Sequence, residues 1–87
     1  LMPYAPPVPA EGPISLCLMF CFKDEKHKPG TPKITKPDTD NIGKMFKDCM
    51  TDCGFWKDDA QIYRDYISKS YQENEGIFVE IVEPTVL

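Results

Sequence analysis

The chain has 87 residues and a mass of 9.9 kDa, room for one domain around one modest core. Ten basic against fourteen acidic side chains give a net charge of −4 and a pI near 4.8, which excludes a uniformly basic, DNA-coating surface. No apolar run reaches the roughly 18–20 residues of a membrane span and no signal-peptide pattern opens the chain, so a soluble, cytoplasmic protein with no membrane contact is expected.

Residues 1–13 hold five of the nine prolines (Pro3, Pro6, Pro7, Pro9 and Pro13) and read as an extended arm. A single domain is expected over 14–87. The chain opens on Leu1 rather than a methionine, and further residues upstream are expected. Residues 14–22, ISLCLMFCF, are apolar almost throughout, with the length and aromatic content of a buried strand. Residues 23–37 are polar, carry Pro29-Gly30, Pro32 and Pro37, and read as a mobile loop. His27 within it reads as a surface residue. From Lys23 to Lys47, seven lysines stand against four carboxylates, a local basic excess that suits a polyanion together with a cation.

Ile42, Met45, Phe46, Cys49, Met50 and Cys53 follow at i, i+3, i+4, i+7, i+8 and i+11, one face of an α-helix. Asp40 or Asn41 is placed to cap its start and Gly54 to end it. Lys44, Lys47, Asp48, Thr51 and Asp52 occupy the opposite face. Residues 55–60 form a connection, and 61–71, QIYRDYISKSY, fit helix and strand equally by periodicity. Residues 76–82, GIFVEIV, read as a strand that Pro84 ends. The expected fold is α+β: a small antiparallel or mixed sheet with one main amphipathic helix, in β–loop–α–β–β order.

The four cysteines form two i,i+4 pairs, Cys17/Cys21 and Cys49/Cys53. Nothing signals the secretion that a disulfide framework would need. Zinc-binding cysteines sit in loops or turns, whereas these lie in apolar runs, so packing as small hydrophobes is expected. A cysteine–zinc interaction module is the alternative.

Asp38 and Asp40 lie two apart just before the helix, and in an extended lead-in both carboxylates point the same way. Lys44 follows Asp40 by one turn. Hard oxygen donors with an ammonium close by suit a magnesium site that handles phosphate. A calcium loop fails on its spacing, since Ile42 and Cys49 fall where oxygen donors are required. Helix capping by Asp40 beside a solvated Asp38 is the purely structural alternative. A second acidic pair, Asp58-Asp59, follows the turn at Gly54 and could return a third carboxylate to the same edge.

Residues 36–62, KPDTDNIGKMFKDCMTDCGFWKDDAQI, closely resemble the RusA family of Holliday-junction resolvases. The family pattern has an acidic-x-acidic-Asn group, a lysine four on, an aspartate in the helix, then an aromatic-x-Asp-Asp-Ala-Gln segment. Asp38, Asp40, Asn41, Lys44, Asp48, Trp56, Asp58, Asp59, Ala60 and Gln61 fall in register. The likeness is looser from Ile14 to Glu83 and does not extend into the proline-rich arm. Where some members carry an arginine-rich run before the first aspartate, this chain has Lys33-Ile34-Thr35-Lys36-Pro37.

The resemblance implies a homodimeric endodeoxyribonuclease, dependent on magnesium or manganese, that hydrolyses two opposed strands of a four-way DNA junction in recombination and repair. It implies that Asp38, Asp40 and Asp59 hold the metal, that Lys44 is catalytic, and that residues 61–71 form a strand. No small-molecule cofactor is expected. Lys33, Lys36 and Lys47 are expected to contact flanking phosphates. Asn41, Asp48, Trp56 and Asp58 are expected to support the site structurally, with Trp56 as a packing anchor. Tyr63, Tyr66 and Tyr71 read as core or dimer surface rather than as base-stacking platforms. A catalytically silent DNA-binding relative is the second alternative.

Overall fold

The computed structural model describes residues 2–84. Strand β1 (Ile14–Phe22), helix α1 (Thr39–Asp52), strand β2 (Ile62–Tyr71) and strand β3 (Gly76–Val82) follow in chain order. The sheet order is β2-β1-β3, with β1 parallel to β2 and antiparallel to β3. A parallel pair needs a crossover, and α1 supplies it. The α+β class, the mixed sheet and the element order are those expected from the sequence.

Strand β1 is central. Its alternate residues Ile14, Leu16, Leu18 and Phe20 are buried, and with Met50 and Trp56 they form the core. Burying each such side chain is worth about 1.5–3 kcal/mol. Phe20 meets Phe46 of α1 edge to face, with ring centroids 5.8 Å apart. Gly43 is buried against Ile67 of β2, where an added Cβ would run into the isoleucine Cδ1. That contact brings the start of the helix down onto the sheet.

The other face of β1 carries Ser15, Cys17, Met19 and Cys21, none of them buried. The apolar run at 14–22 therefore covers a strand with one packed face and one open face. The expectation that the cysteines pack in the core is overturned. Cys17 and Cys21 fall on the open face because strand alternation gives i and i+4 the same side. Cys49 is exposed on α1, and Cys53 is half-buried at its C-terminus. Desolvation and the neighbouring Cys49 push the Cys53 thiol above its ordinary pKa. Cys17 and Cys21 thus lie on the sheet face turned away from α1, which carries Cys49 and Cys53, so the two pairs do not meet.

Helix α1 starts two or three residues earlier than the sequence suggests. Asp38, extended at φ −68° and ψ 147°, is the N-cap, and its carbonyl accepts from Ile42 N. Asp40 and Asn41 already lie within the first turn. The C-terminus closes as a Schellman turn: Gly54, at φ +86°, donates to Thr51 O, and Phe55 N donates to Met50 O. The buried stripe runs through Ile42, Gly43, Phe46 and Met50, leaving Met45 and Cys49 exposed. A narrow three-stranded sheet covers a narrower arc of helix than the sequence pattern offers.

The basic loop is fastened rather than mobile. Gly30 N donates to Tyr71 O (2.7 Å), Tyr71 N to Thr31 O (2.9 Å) and Lys33 N to Lys69 O (3.1 Å), so residues 30–33 cover the outer edge of β2. Tyr71 is buried; its ring stacks on His27 with centroids 3.9 Å apart, and the Lys33 ammonium lies 5.3 Å from its centroid. His27 also pairs with Asp24 at 3.2 Å. The Asp24 carboxyl is held below its usual pKa by the Lys26 backbone N–H, with His27 adding to the effect.

Candidate active site

The two acidic pairs approach helix α1 from different ends. Asp38 caps the helix by position only: its side chain makes no capping hydrogen bond, and the carboxylate is exposed. Asp40, also exposed, sits in the first turn, where the helix macrodipole favours a negative charge. Asp40, Lys44, Asp48 and Asp52 then recur every fourth residue and are all exposed, so a lysine stands between carboxylates along one stripe of the helix. Among the described residues the Lys44 ammonium forms no ion pair.

The second pair is placed by what precedes it. Trp56, only 1 % exposed, donates from Nε1 to Thr51 Oγ1 (2.7 Å), and that hydroxyl donates to Lys47 O (3.0 Å). This chain of bonds fixes the turn against the last part of α1, which makes Trp56 the expected anchor. Asp58 is extended and caps a single 3-10 turn, Asp59–Gln61. Its Oδ1 accepts from Ala60 N (2.8 Å), while the Gln61 side chain accepts from Asp58 N (2.8 Å) and Lys57 N (2.9 Å). Asp59 makes no side-chain hydrogen bond among the described residues. The neighbours are therefore not equivalent: Asp58 is committed to backbone and Asp59 is free.

Asp58 and Asp59 line a shallow cavity of about 360 Å³ together with Asp48, Thr51, Asp52 and Lys57. The structure thus sets the turn beside the second half of the acidic stripe, with Asp38 and Asp40 at its far end. Asp48 links the two halves, a closer association with the site than the sequence suggests. No three Asp, Glu, His or Cys side chains among the described residues are gathered tightly enough to hold a metal ion. The donor chemistry, carboxylate oxygen throughout, is nonetheless the kind that suits a hard divalent cation.

The expected phosphate contacts divide. Lys36 is exposed. Lys47 is paired with Asp65 of β2 at 2.8 Å. The Lys33 ammonium donates to Thr35 Oγ1 (2.6 Å) and lies 5.1 Å from the Phe22 ring centroid.

Sequence reasoning left Gln61 without a role, and its partners explain why. Its Nε2 donates to Ala10 O (3.0 Å) and Gly12 O (2.9 Å), some fifty positions earlier. Ala10 also pairs with Trp56 as a parallel bridge, donating to Phe55 O (3.1 Å) and accepting from Lys57 N (3.3 Å). Glu11 forms an ion pair with Lys57, which lowers the glutamate's pKa. The end of the proline-rich arm is part of this site.

Against known families, the model described as "Endodeoxyribonuclease RusA" matches residues 2–82. That span takes in the proline-rich arm, where the motif resemblance had stopped, in keeping with the arm's attachment to the Trp56–Gln61 segment. No curated protein gives a significant match. No helix among the described residues is long and apolar enough to cross a membrane.

Proposed function

Since this chain belongs to the RusA family of endodeoxyribonucleases, hydrolases that resolve Holliday junctions, we propose that Asp38, Asp40, Lys44 and Asp59 form its reaction site and that the site works with a bound divalent cation. The observation that carries this reading is the division of labour among the aspartates. Asp58 is consumed by its cap, whereas Asp38 and Asp59 keep carboxylates without hydrogen-bond partners among the described residues.

Phosphodiester DNA is an anion, and a surface with this many carboxylates repels it. A magnesium or manganese ion held at this acidic edge would relieve that repulsion and supply a Lewis acid and an activated water. Asp38 and Asp40 offer ligands at the helix start and Asp59 offers one beside Asp48, and these would have to draw together to share one ion. Lys44 carries the chain's own share of the chemistry. Its ammonium faces the charge that grows on the phosphate oxygens as the phosphorus becomes five-coordinate, a contact worth most in the transition state. Lys36 holds a flanking phosphate. Lys33 and Lys47 join it by exchanging Thr35 and Asp65 for phosphate oxygens. These contacts position DNA without reading its sequence.

The working unit in this reading is a two-fold dimer, whose sites face the two symmetry-related strands of a junction. The second copy covers the open face of the sheet. Cys17 and Met19 lie along its middle, flanked by Tyr66 on β2 and by Phe78 and Val82 on β3; Tyr66 and Phe78 are 61 % and 51 % exposed. Arg64 on β2 and Glu80 on β3 lie on opposite sides of β1 on this face. A two-fold axis along β1 brings Arg64 of one copy toward Glu80 of the other, so the face complements itself. Cutting both opposed strands would place the enzyme in DNA recombination and repair.

A synthetic four-way junction tests the reading. Cleavage is expected with magnesium or manganese, to be lost in EDTA, and to be at least about tenfold slower on a linear duplex of the same sequence. Undiminished cleavage in EDTA, or equal cleavage of the linear duplex, counts against it. The rival zinc module is disfavoured by the placement of its two thiol pairs on opposite sides of the sheet, and a silent relative by the presence of all four reaction-site residues.

A further inference from the structure

We infer that Gln61 is a positioning residue: its carboxamide clips the Ala10–Gly12 end of the proline-rich arm to the Lys57–Asp58 turn and so fixes where the Asp59 carboxylate stands. This rests on the reading that Asp59 belongs to the reaction site.

A side-chain amide has one acceptor oxygen with two lone pairs and two N–H donors. Gln61 uses all four. Oε1 accepts from Lys57 N and Asp58 N, at 2.9 and 2.8 Å. Nε2 donates to Ala10 O and Gly12 O, at 3.0 and 2.9 Å. The oxygen half completes the capping box that starts the Asp59–Gln61 turn. The nitrogen half serves a different purpose, because it joins the turn to a segment about fifty residues away. Asp59 itself makes no side-chain hydrogen bond among the described residues, so its backbone sets its placement. That backbone is held from one side by Trp56 in the core and from the other by this amide. Proline at positions 9 and 13 stiffens the arm that the amide grips. Hydrogen bonds of this kind are individually modest in their net effect on stability. Their effect here is geometric: a displacement of about 1 Å at a reacting group can cost on the order of a hundredfold in rate.

The two halves of the amide can be separated. Gln61→Glu keeps an acceptor for Lys57 N and Asp58 N but removes both donors to the arm. Gln61→Ala removes everything. Both are compared with wild type and with Asp59→Asn in the full chain by four readouts: thermal melting, amide hydrogen exchange at residues 10–12 and 57–60, junction affinity, and single-turnover cleavage. Manganese binding is measured directly by titration without DNA.

Gln61→Glu is expected to melt cooperatively, to exchange faster at residues 10–12 while residues 57–60 stay protected, and to bind the junction within about twofold of wild type. Its single-turnover rate is expected to fall by about ten- to a hundredfold, with weaker manganese binding. Gln61→Ala adds fast exchange at 57–60. A wild-type rate in Gln61→Glu beside an inactive Asp59→Asn overturns the clip and leaves the site reading intact. A rate loss that only tracks the unfolded fraction reduces Gln61 to a structural residue and also overturns the clip. If Asp59→Asn still cuts, the site reading fails and the proposal fails with it.

Discussion

Asp59→Asn removes junction cleavage, by more than about a hundredfold, with melting unchanged, while Asp58→Asn stays active. The expectation follows from what each carboxylate already does. Asp58 Oδ1 caps the turn by accepting from Ala60 N, and asparagine caps as well as aspartate. An amide at 58 therefore keeps both the turn and the site, whereas Asp58→Ala costs about 1 kcal/mol of stability and lowers activity only as far as folding falls. Asp59 has no such duty. Its substitution by an amide of the same shape removes only charge, which is what a cation ligand and a site facing phosphate depend on. Residues that merely support a metal ligand already cost about 10–100-fold when changed, so a ligand should cost more. The measurement is single-turnover cleavage of a labelled junction beside thermal melting of the same preparations. A stable, inactive Asp58→Asn next to an active Asp59→Asn would shift the functional carboxylate back by one position.

Lys44→Ala carries the second large effect, a loss of about 10²–10³ in the rate of the chemical step. Lys44 is exposed on α1, one turn from Asp40 and one turn from Asp48, and forms no ion pair among the described residues. Its removal leaves the fold untouched. A group that meets charge developing in the transition state changes the rate at saturating DNA. A group that merely holds a phosphate weakens binding instead and lowers the salt slope by about one. Lys36→Ala is the comparison and should show only the second pattern. If the whole deficit of Lys44→Ala lies in affinity, Lys44 is a phosphate contact like Lys36.

Much of this arrangement is legible in the sequence. Strands β1 and β3 occupy the expected spans because Pro13 and the charged run at Lys23 bound the first, while Gly76 and Pro84 bracket the second. The helix is legible from its period. The sequence reading set its start too late because Asp38, the true N-cap, uses no side-chain hydrogen bond, and because Thr39 and Asp40 carry no apolar signal. Strand β2 was ambiguous because Ile62, Tyr66, Ile67 and Tyr71 satisfy either period; pairing along the whole of β1 decides it.

What local pattern cannot express is contact between distant segments. Gln61 grips the arm from fifty residues away, and the basic loop is fastened by backbone bonds to Lys69 and Tyr71. The open sheet face was concealed for a different reason. Cys17, Met19 and Cys21 are nearly as apolar as the buried residues between them, so β1 lacks the alternation that would have marked one face as open. The sequence reading did separate Asp58 from Asp59, giving the first a supporting role and the second a metal-holding one. The structure supplies a firmer reason, since only Asp58 serves as a cap.

The central claim is that two copies of this chain, each with a site along α1, resolve a four-way junction. It is tested most directly by mapping the cuts on an immobile-arm junction labelled on each of its four strands in turn, with magnesium present. The expected result is one cut in each of two opposed strands, at symmetry-related positions, with the other two strands intact and two linear duplexes released. Cuts confined to a single strand, cuts spread over all four, or an uncut junction would contradict it.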